Sequence, residues 1–79
     1  MSDAYPLDPL AFAQLFLDVE RLTILGVLTR QPATLQTLLE LTKIRSNILQ
    51  RHLSRLVSAG LVQTVEDQGT PVYRLDRDQ

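Results

Sequence analysis

The sequence predicts a mainly α domain closed by a β-hairpin. Three observations carry that prediction. Apolar residues recur at helical spacing from Leu10 to Val57. Gly60 then stands where a helix stop is easiest. Beyond it the hydrophobic period changes from 3.6 to 2, in the β-rich runs Leu61–Val65 and Pro71–Leu75. The 79 residues suit a single domain spanning 1–79. A chain that is 44% hydrophobic, with a net charge of -1, can bury enough surface to fold.

The elements follow in order. Tyr5-Pro6-Leu7 is a lead-in. Asp8 can cap free backbone donors, and Pro9 suits the first helical position. The helix from about 9 to 17 carries Leu10, Phe12, Ala13, Leu15, Phe16 and Leu17, apolar on more than one face. A surface helix needs one apolar stripe. Two readings fit the surplus: a second copy of the chain covers it, or the helix lies deep across its own small core. The first places Leu10, Phe12 and Phe16 in a homodimer interface, and a chain this short is marginal alone. Asp18 can cap a second helix; equally, 9–30 can be one long helix, since nothing between Leu17 and Val19 breaks it. Leu22, Ile24, Leu25, Val27 and Leu28 supply core candidates before Arg30-Gln31-Pro32 ends the segment.

Thr34 caps a short helix from Leu35 to about Leu41, with Leu35, Leu38, Leu39 and Leu41 facing inward. Thr42-Lys43-Ile44-Arg45 is a connection. The next helix, 46–59, is the best defined: Leu49, Leu53, Leu56 and Val57 form its core side. Gly60 supplies a left-handed stop, and Leu61 can pack back in a Schellman motif. The hairpin, about 61–76, turns at Glu66-Asp67-Gln68-Gly69-Thr70, with Pro71 at a strand start or edge and Asp76-Arg77-Asp78-Gln79 as a polar tail.

Composition excludes several functions. Without cysteine there are no disulfides or thiolate metal sites, and His52 is the only histidine, so neither a metal nor a cofactor is expected. An enzyme is excluded on the same grounds, together with the lack of a glycine-rich phosphate loop or a close carboxylate pair. The acidic start Met1-Ser2-Asp3-Ala4-Tyr5 is no signal peptide, and no apolar run is long enough to span a membrane. A cytoplasmic protein is expected.

The charge distribution points to a partner. Leu41 to Val65 holds four cations, Lys43, Arg45, Arg51 and Arg55, and no acid, a charge of +4. The rest carries four cations and all nine acids, a charge of -5. Such a patch is either a solvated helix face or a surface for a polyanion.

Helix, short helix, tight turn, longer helix and hairpin is the order of a winged helix-turn-helix. The local sequence resembles the ArsR-type bacterial repressors over roughly residues 18 to 75. Asp18-Val19-Glu20-Arg21-Leu22-Thr23-Ile24-Leu25 looks like that family's opening, and Ile48-Leu49-Gln50-Arg51-His52-Leu53-Ser54-Arg55-Leu56 is similar to its recognition helix. Ala59-Gly60-Leu61-Val62 matches the helix exit, and Val72-Tyr73-Arg74-Leu75 the last wing strand. The resemblance implies double-stranded DNA binding by a small, dimeric transcriptional regulator of repressor type.

The residues support that expectation independently. A helix in the major groove buries one side on its own domain and offers polar forks on the other. Asn47 and Gln50 suit adenine and Arg51 guanine, with Ser46 beside them near the helix start, so these four are the candidate base-reading residues. Lys43, Arg45, Ser54 and Arg55 suit the DNA backbone, as does Arg74 on the wing, where Gln68 and Thr70 can also touch it. His52 is expected on the helix face near that backbone. Arg51 and Arg55 could instead be consumed in surface ion pairs.

Departures from the family pattern bear on this. Metal-sensing members use cysteine or histidine clusters, which this chain lacks. Members usually continue past the wing into a dimerising helix, whereas this chain stops at Gln79, so its first helix must do more of the dimerising. Arg45 stands where a small hydroxyl residue is common. Glu66 and Asp67 make the wing turn acidic, which disfavours a phosphate grip. The competing reading is a winged helix used as a protein–protein adaptor without DNA binding.

Overall fold

Asp8 opens the first helix as its chemistry predicts. In the computed structural model, which describes residues 8–77, its carboxylate accepts from the Leu10 N–H at 3.2 Å, and Pro9 takes the first helical position. Tyr5-Pro6-Leu7 and Asp78-Gln79 lie outside the described residues. The helix, α1, runs unbroken over Pro9–Arg30. Of the two arrangements open at Asp18, the continuous one holds, because neither glycine nor proline stands near Asp18 to break it. Asp18 is no cap; it accepts from Gln14 Nε2 at 3.1 Å and pairs with Arg21 at 3.3 Å. Gln31, held extended by the following Pro32, ends the helix.

Ala33–Thr34 then forms a two-residue strand, β1, too short to show a period of its own in the sequence. Thr34 also caps α2 (Leu35–Thr42), its hydroxyl accepting from the Thr37 N–H at 3.2 Å. Lys43 ends α2 at φ 62°, in the left-handed region, and its N–H returns to the Leu39 carbonyl at 3.1 Å. The Thr42 hydroxyl ties the tight turn together, donating to the Leu38 carbonyl and accepting from the Ile44 N–H.

The third helix, α3, spans Ser46–Ser58, with Ala59 as its cap rather than its last residue. Gly60 follows at φ 80°. Its N–H bonds Val57 and that of Leu61 bonds Leu56, both at 3.0 Å, the paired bonds of a Schellman stop. The wing comprises β2 (Val62–Asp67) and β3 (Thr70–Leu75), antiparallel, with Asp67 opposite Thr70. The expected five-residue turn therefore shrinks to Gln68-Gly69, both at positive φ as a tight hairpin of this twist requires. The sheet order is β1-β3-β2, with Ala33 opposite Tyr73 and Thr34 opposite Val72. Pro71 lies on the central strand, yet β1 stops short of it. In the alternation set by a two-residue loop, Pro71 also falls at a pair that exchanges no ladder bonds with β2, so its missing donor costs nothing there.

The core gathers Ile24 and Leu28 of α1, Ala33, Leu38 of α2, Ile44 of the turn, Leu49, Leu53 and Leu56 of α3, and Val62. Leu35 and Leu39 pack against it partly buried. Three expected core residues do not belong: Leu22, Leu41 and Val57 are exposed. Leu41 and Val57 fall outside the buried arcs marked by Leu38 on α2 and by Leu53 and Leu56 on α3. Leu22 joins Phe12, Leu15, Phe16 and Val19 in an exposed apolar stripe on the side of α1 away from Ile24 and Leu28. From Pro9 to Phe16 every residue of α1 is exposed, so this part of the helix does not lie deep across the core, and only the Ile24–Leu28 face is covered.

The helix stop yields a stability prediction. Gly60→Val places a branched side chain at φ 80° and should cost about 1 kcal/mol or more, lowering the melting temperature by roughly 4–8 °C per kcal/mol in a calorimetric scan.

Candidate nucleic-acid interface

The division of α3 is the basis of the site. Leu49, Leu53 and Leu56 are held in the core, while Ser46, Asn47, Gln50, Arg51, Ser54 and Arg55 all stand exposed on the other arc. The structure therefore brings the four expected base-reading residues onto one solvent-facing surface, with Ser54 and Arg55 beside them. Lys43 and Arg45 lie exposed in the turn just before the helix.

Arg45 is the N-cap residue of α3 and provides no side-chain cap bond. Ser46 does not take over that task; its hydroxyl accepts from Gln50 Nε2 at 2.9 Å. The contact orients the Gln50 amide and leaves its carbonyl oxygen and second amide proton available. Arg21 pairs with Asp18, and none of Lys43, Arg45, Arg51 and Arg55 forms an ion pair with a described carboxylate. The four cations of the patch are consequently unneutralised, and Arg51 and Arg55 are not consumed in surface ion pairs.

His52 departs from expectation. Rather than facing nucleic acid it is buried, 5% exposed, and its Nε2 lies 2.9 Å from Glu20 Oε1 on α1. Its position three residues after Leu49 and four before Leu56 places it at the margin of the buried arc, a signal already present in the sequence. Glu20, whose side chain is also largely buried, was not singled out by sequence reasoning because its partner lies 32 residues away. The pair links the helix bearing the candidate DNA face to the helix bearing the uncovered apolar stripe.

Arg74 stands apart from the α3 patch. It lies near the base of the wing, opposite Gln63, and its Nε donates to Gln63 Oε1 at 3.1 Å. Gln68 sits at the tip between exposed Asp67 and Gly69, and Thr70 opens β3. The exposed carboxylates of Glu66 and Asp67 give the tip a negative character.

Residues 18–64 match the family described as bacterial regulatory protein, arsR family. That span exceeds half of the chain and includes all of α2 and α3. The chain belongs to the arsR family.

Solved structures agree with this assignment. HlyU from Vibrio cholerae is 26% identical, with a TM-score of 0.69 over 92% of this chain and 84% of that one. NolR from Sinorhizobium fredii is 25% identical, with a TM-score of 0.68 over 94% and 83%. A homodimeric winged helix-turn-helix DNA-binding domain from Mycobacterium bovis, Mb0332, described as a possible ArsR-family regulator, shares the fold at 20% identity, with a TM-score of 0.70 over 96% and 76%. No curated protein matches the chain significantly. The three helices and three-stranded sheet are thus those of a winged helix-turn-helix transcriptional regulator, in the DNA-binding class.

The donor set of this arsR-family chain does not fit a bound metal. There is no cysteine, the one histidine is engaged with Glu20, and among the described residues no three of His, Cys, Asp and Glu are grouped to hold an ion. No helix among the described residues is long and apolar enough to cross a membrane.

The buried pair makes a second prediction. His52→Ala leaves the Glu20 carboxylate without its partner and should cost about 1–3 kcal/mol, read as a lowered urea midpoint. Glu20→Gln, which can keep one hydrogen bond to the ring, should lose less.

Proposed function

We propose that the chain is a small regulator, of repressor type, that binds double-stranded DNA sequence-specifically as a homodimer. The observation that carries this reading is the exposed arc of α3: amides and guanidinium forks stand together with no carboxylate to neutralise them, while the opposite arc is held in the core. In the major groove, Asn47 and Gln50 address adenine and Arg51 guanine. Ser46 assists by presenting the Gln50 amide. Lys43, Arg45, Ser54 and Arg55 meet the flanking phosphates, and Arg74 is the wing's candidate for the same task. The acidic wing tip contributes little affinity, so binding depends on α3 and the turn before it.

The homodimer reading is supported by the stripe on α1, where Phe12 is 57% and Phe16 59% exposed, Leu10 more so, and Leu15, Val19 and Leu22 continue the surface. An apolar surface of that kind on a domain this small calls for cover. A second copy of the same helix offers a self-complementary one, and the Mb0332 domain, which shares this fold, is described as homodimeric. Two copies would present two α3 helices to successive major grooves about 34 Å apart, so the site should be a palindrome.

Fluorescence anisotropy with duplexes selected from a random pool tests the DNA reading. With about four phosphate contacts per protomer, log affinity should fall against log salt with a slope near -4 per protomer. Arg45→Ala with Arg51→Ala should weaken binding strongly. Salt-insensitive binding, or an unchanged affinity in the double variant, would remove this reading. Pull-down of a protein partner dependent on Leu10, Phe12 or Phe16, with no duplex affinity at low salt, would favour the adaptor instead.

Assembly is tested separately. Phe12→Asp or Phe16→Asp should convert a sedimenting dimer to monomer. A wild-type chain already monomeric at high concentration would discard the interface on α1.

A further inference from the structure

The eight cations of the chain divide into three groups. Lys43, Arg45, Arg51 and Arg55 belong to the α3 patch, and Arg21 pairs with Asp18. The remaining three are Arg30 at the end of α1, Arg74 on β3 and Arg77 just after it. They are scattered in sequence, yet all three line one cleft of about 310 Å³, together with Gln31 and Gln63. Among the described residues no carboxylate lines the cleft.

The guanidinium groups are partly set in place. Arg74 spends its Nε on Gln63 Oε1 at 3.1 Å, which fixes the plane of the group and leaves both terminal nitrogens available. Arg77 directs one terminal nitrogen at the Thr29 carbonyl, 3.4 Å away. That contact answers the negative end of α1 and gives Arg77 a local purpose. Arg30, in the last turn of α1, faces the same helix end, but Arg74 on β3 does not belong to it. Three positive charges around one concavity exceed the roughly half charge that a helix terminus presents.

We propose that this cleft binds an oxyanion, a phosphate group held by Arg30, Arg74 and Arg77. Guanidinium forks match phosphate geometry bidentately, and the flanking Gln31 and Gln63 amides offer further donors. The site is complete within one chain and contains no residue of α3. None of Ser46, Asn47, Gln50 or Arg51 lines it, so the cleft is separate from the base-reading residues, although Arg74 is also the wing's candidate for the DNA backbone. It does not rest on the DNA-binding proposal. The phosphate has two possible sources, a soluble phosphorylated small molecule or the backbone of a bound duplex.

The test is an NMR titration of the full chain with inorganic phosphate at constant ionic strength, chloride being the balancing anion. Saturable shifts at Thr29–Gln31, Gln63 and Arg74 are expected. Arg74→Gln with Arg77→Gln should weaken them about tenfold or more. Should that pair of changes disturb the fold, the exposed Arg30→Gln variant serves the same comparison. Shifts that grow linearly, that appear equally along Lys43–Arg55, or that survive the substitutions would reduce the effect to general charge attraction and overturn the proposal. A duplex that displaces the phosphate while shifting α3 assigns the site to the DNA backbone. Phosphate retained while a bound duplex shifts α3 assigns it to a soluble ligand, and with no duplex binding the saturable phosphate shifts stand on their own. These outcomes are independent of whether the chain reads a sequence.

Discussion

A helix meant for a groove has to be gripped from one side and left bare on the other. In this chain the grip is the packing of Leu49, Leu53 and Leu56 against a core supplied by Ile24, Leu28 and Leu38. Every one of those α3 leucines is almost fully removed from water, which fixes the rotation of the helix about its own axis. That rotation decides which side chains are presented. A turn of one residue, about 100°, would carry polar groups into the core at a cost larger than the margin of a small domain. His52 adds a directional constraint that packing alone lacks. Its hydrogen bond to Glu20 has a specific length and partner, and α1 and α3 scarcely approach each other backbone to backbone.

Much of this was legible in the sequence because the signals were local. The Asp8-Pro9 start, the Thr34 cap, the Gly60 stop and the two wing strands each depend on a few adjacent residues, and each is found where its chemistry predicts. The exposed arc of α3 was legible for a related reason: helical spacing sorts core from surface without reference to the rest of the fold. What was missed depends on distant partners. β1 exists because β3 comes to pair with it, and nothing within Ala33-Thr34 announces that. His52 was misplaced because its partner is on another helix. Leu22, Leu41 and Val57 satisfy the helical pattern but lie where the core does not reach, and periodicity cannot report where a core ends.

The same long-range logic explains why α1 resisted a single interpretation. Its hydrophobic residues are distributed around the cylinder, so no one stripe dominates the sequence. In the structure they resolve into two surfaces. Ile24 and Leu28 enter the core, while Phe12, Leu15, Phe16, Val19 and Leu22 stand outside it. Glu20 lies between these surfaces and reaches α3. The candidate DNA face and the uncovered surface are thereby tied to one helix, and the orientation of either is set with respect to the other.

Pro71 has an effect beyond its own strand. Because β1 is only two residues long, the outer half of β3 has, among the described residues, no strand paired on that side. An unprotected stretch of this kind can recruit a strand from another molecule and seed a growing ribbon. A proline there offers no amide hydrogen for such recruitment and puts its ring in the way. The wing can thus remain extended and solvent-facing without becoming a template for polymerisation.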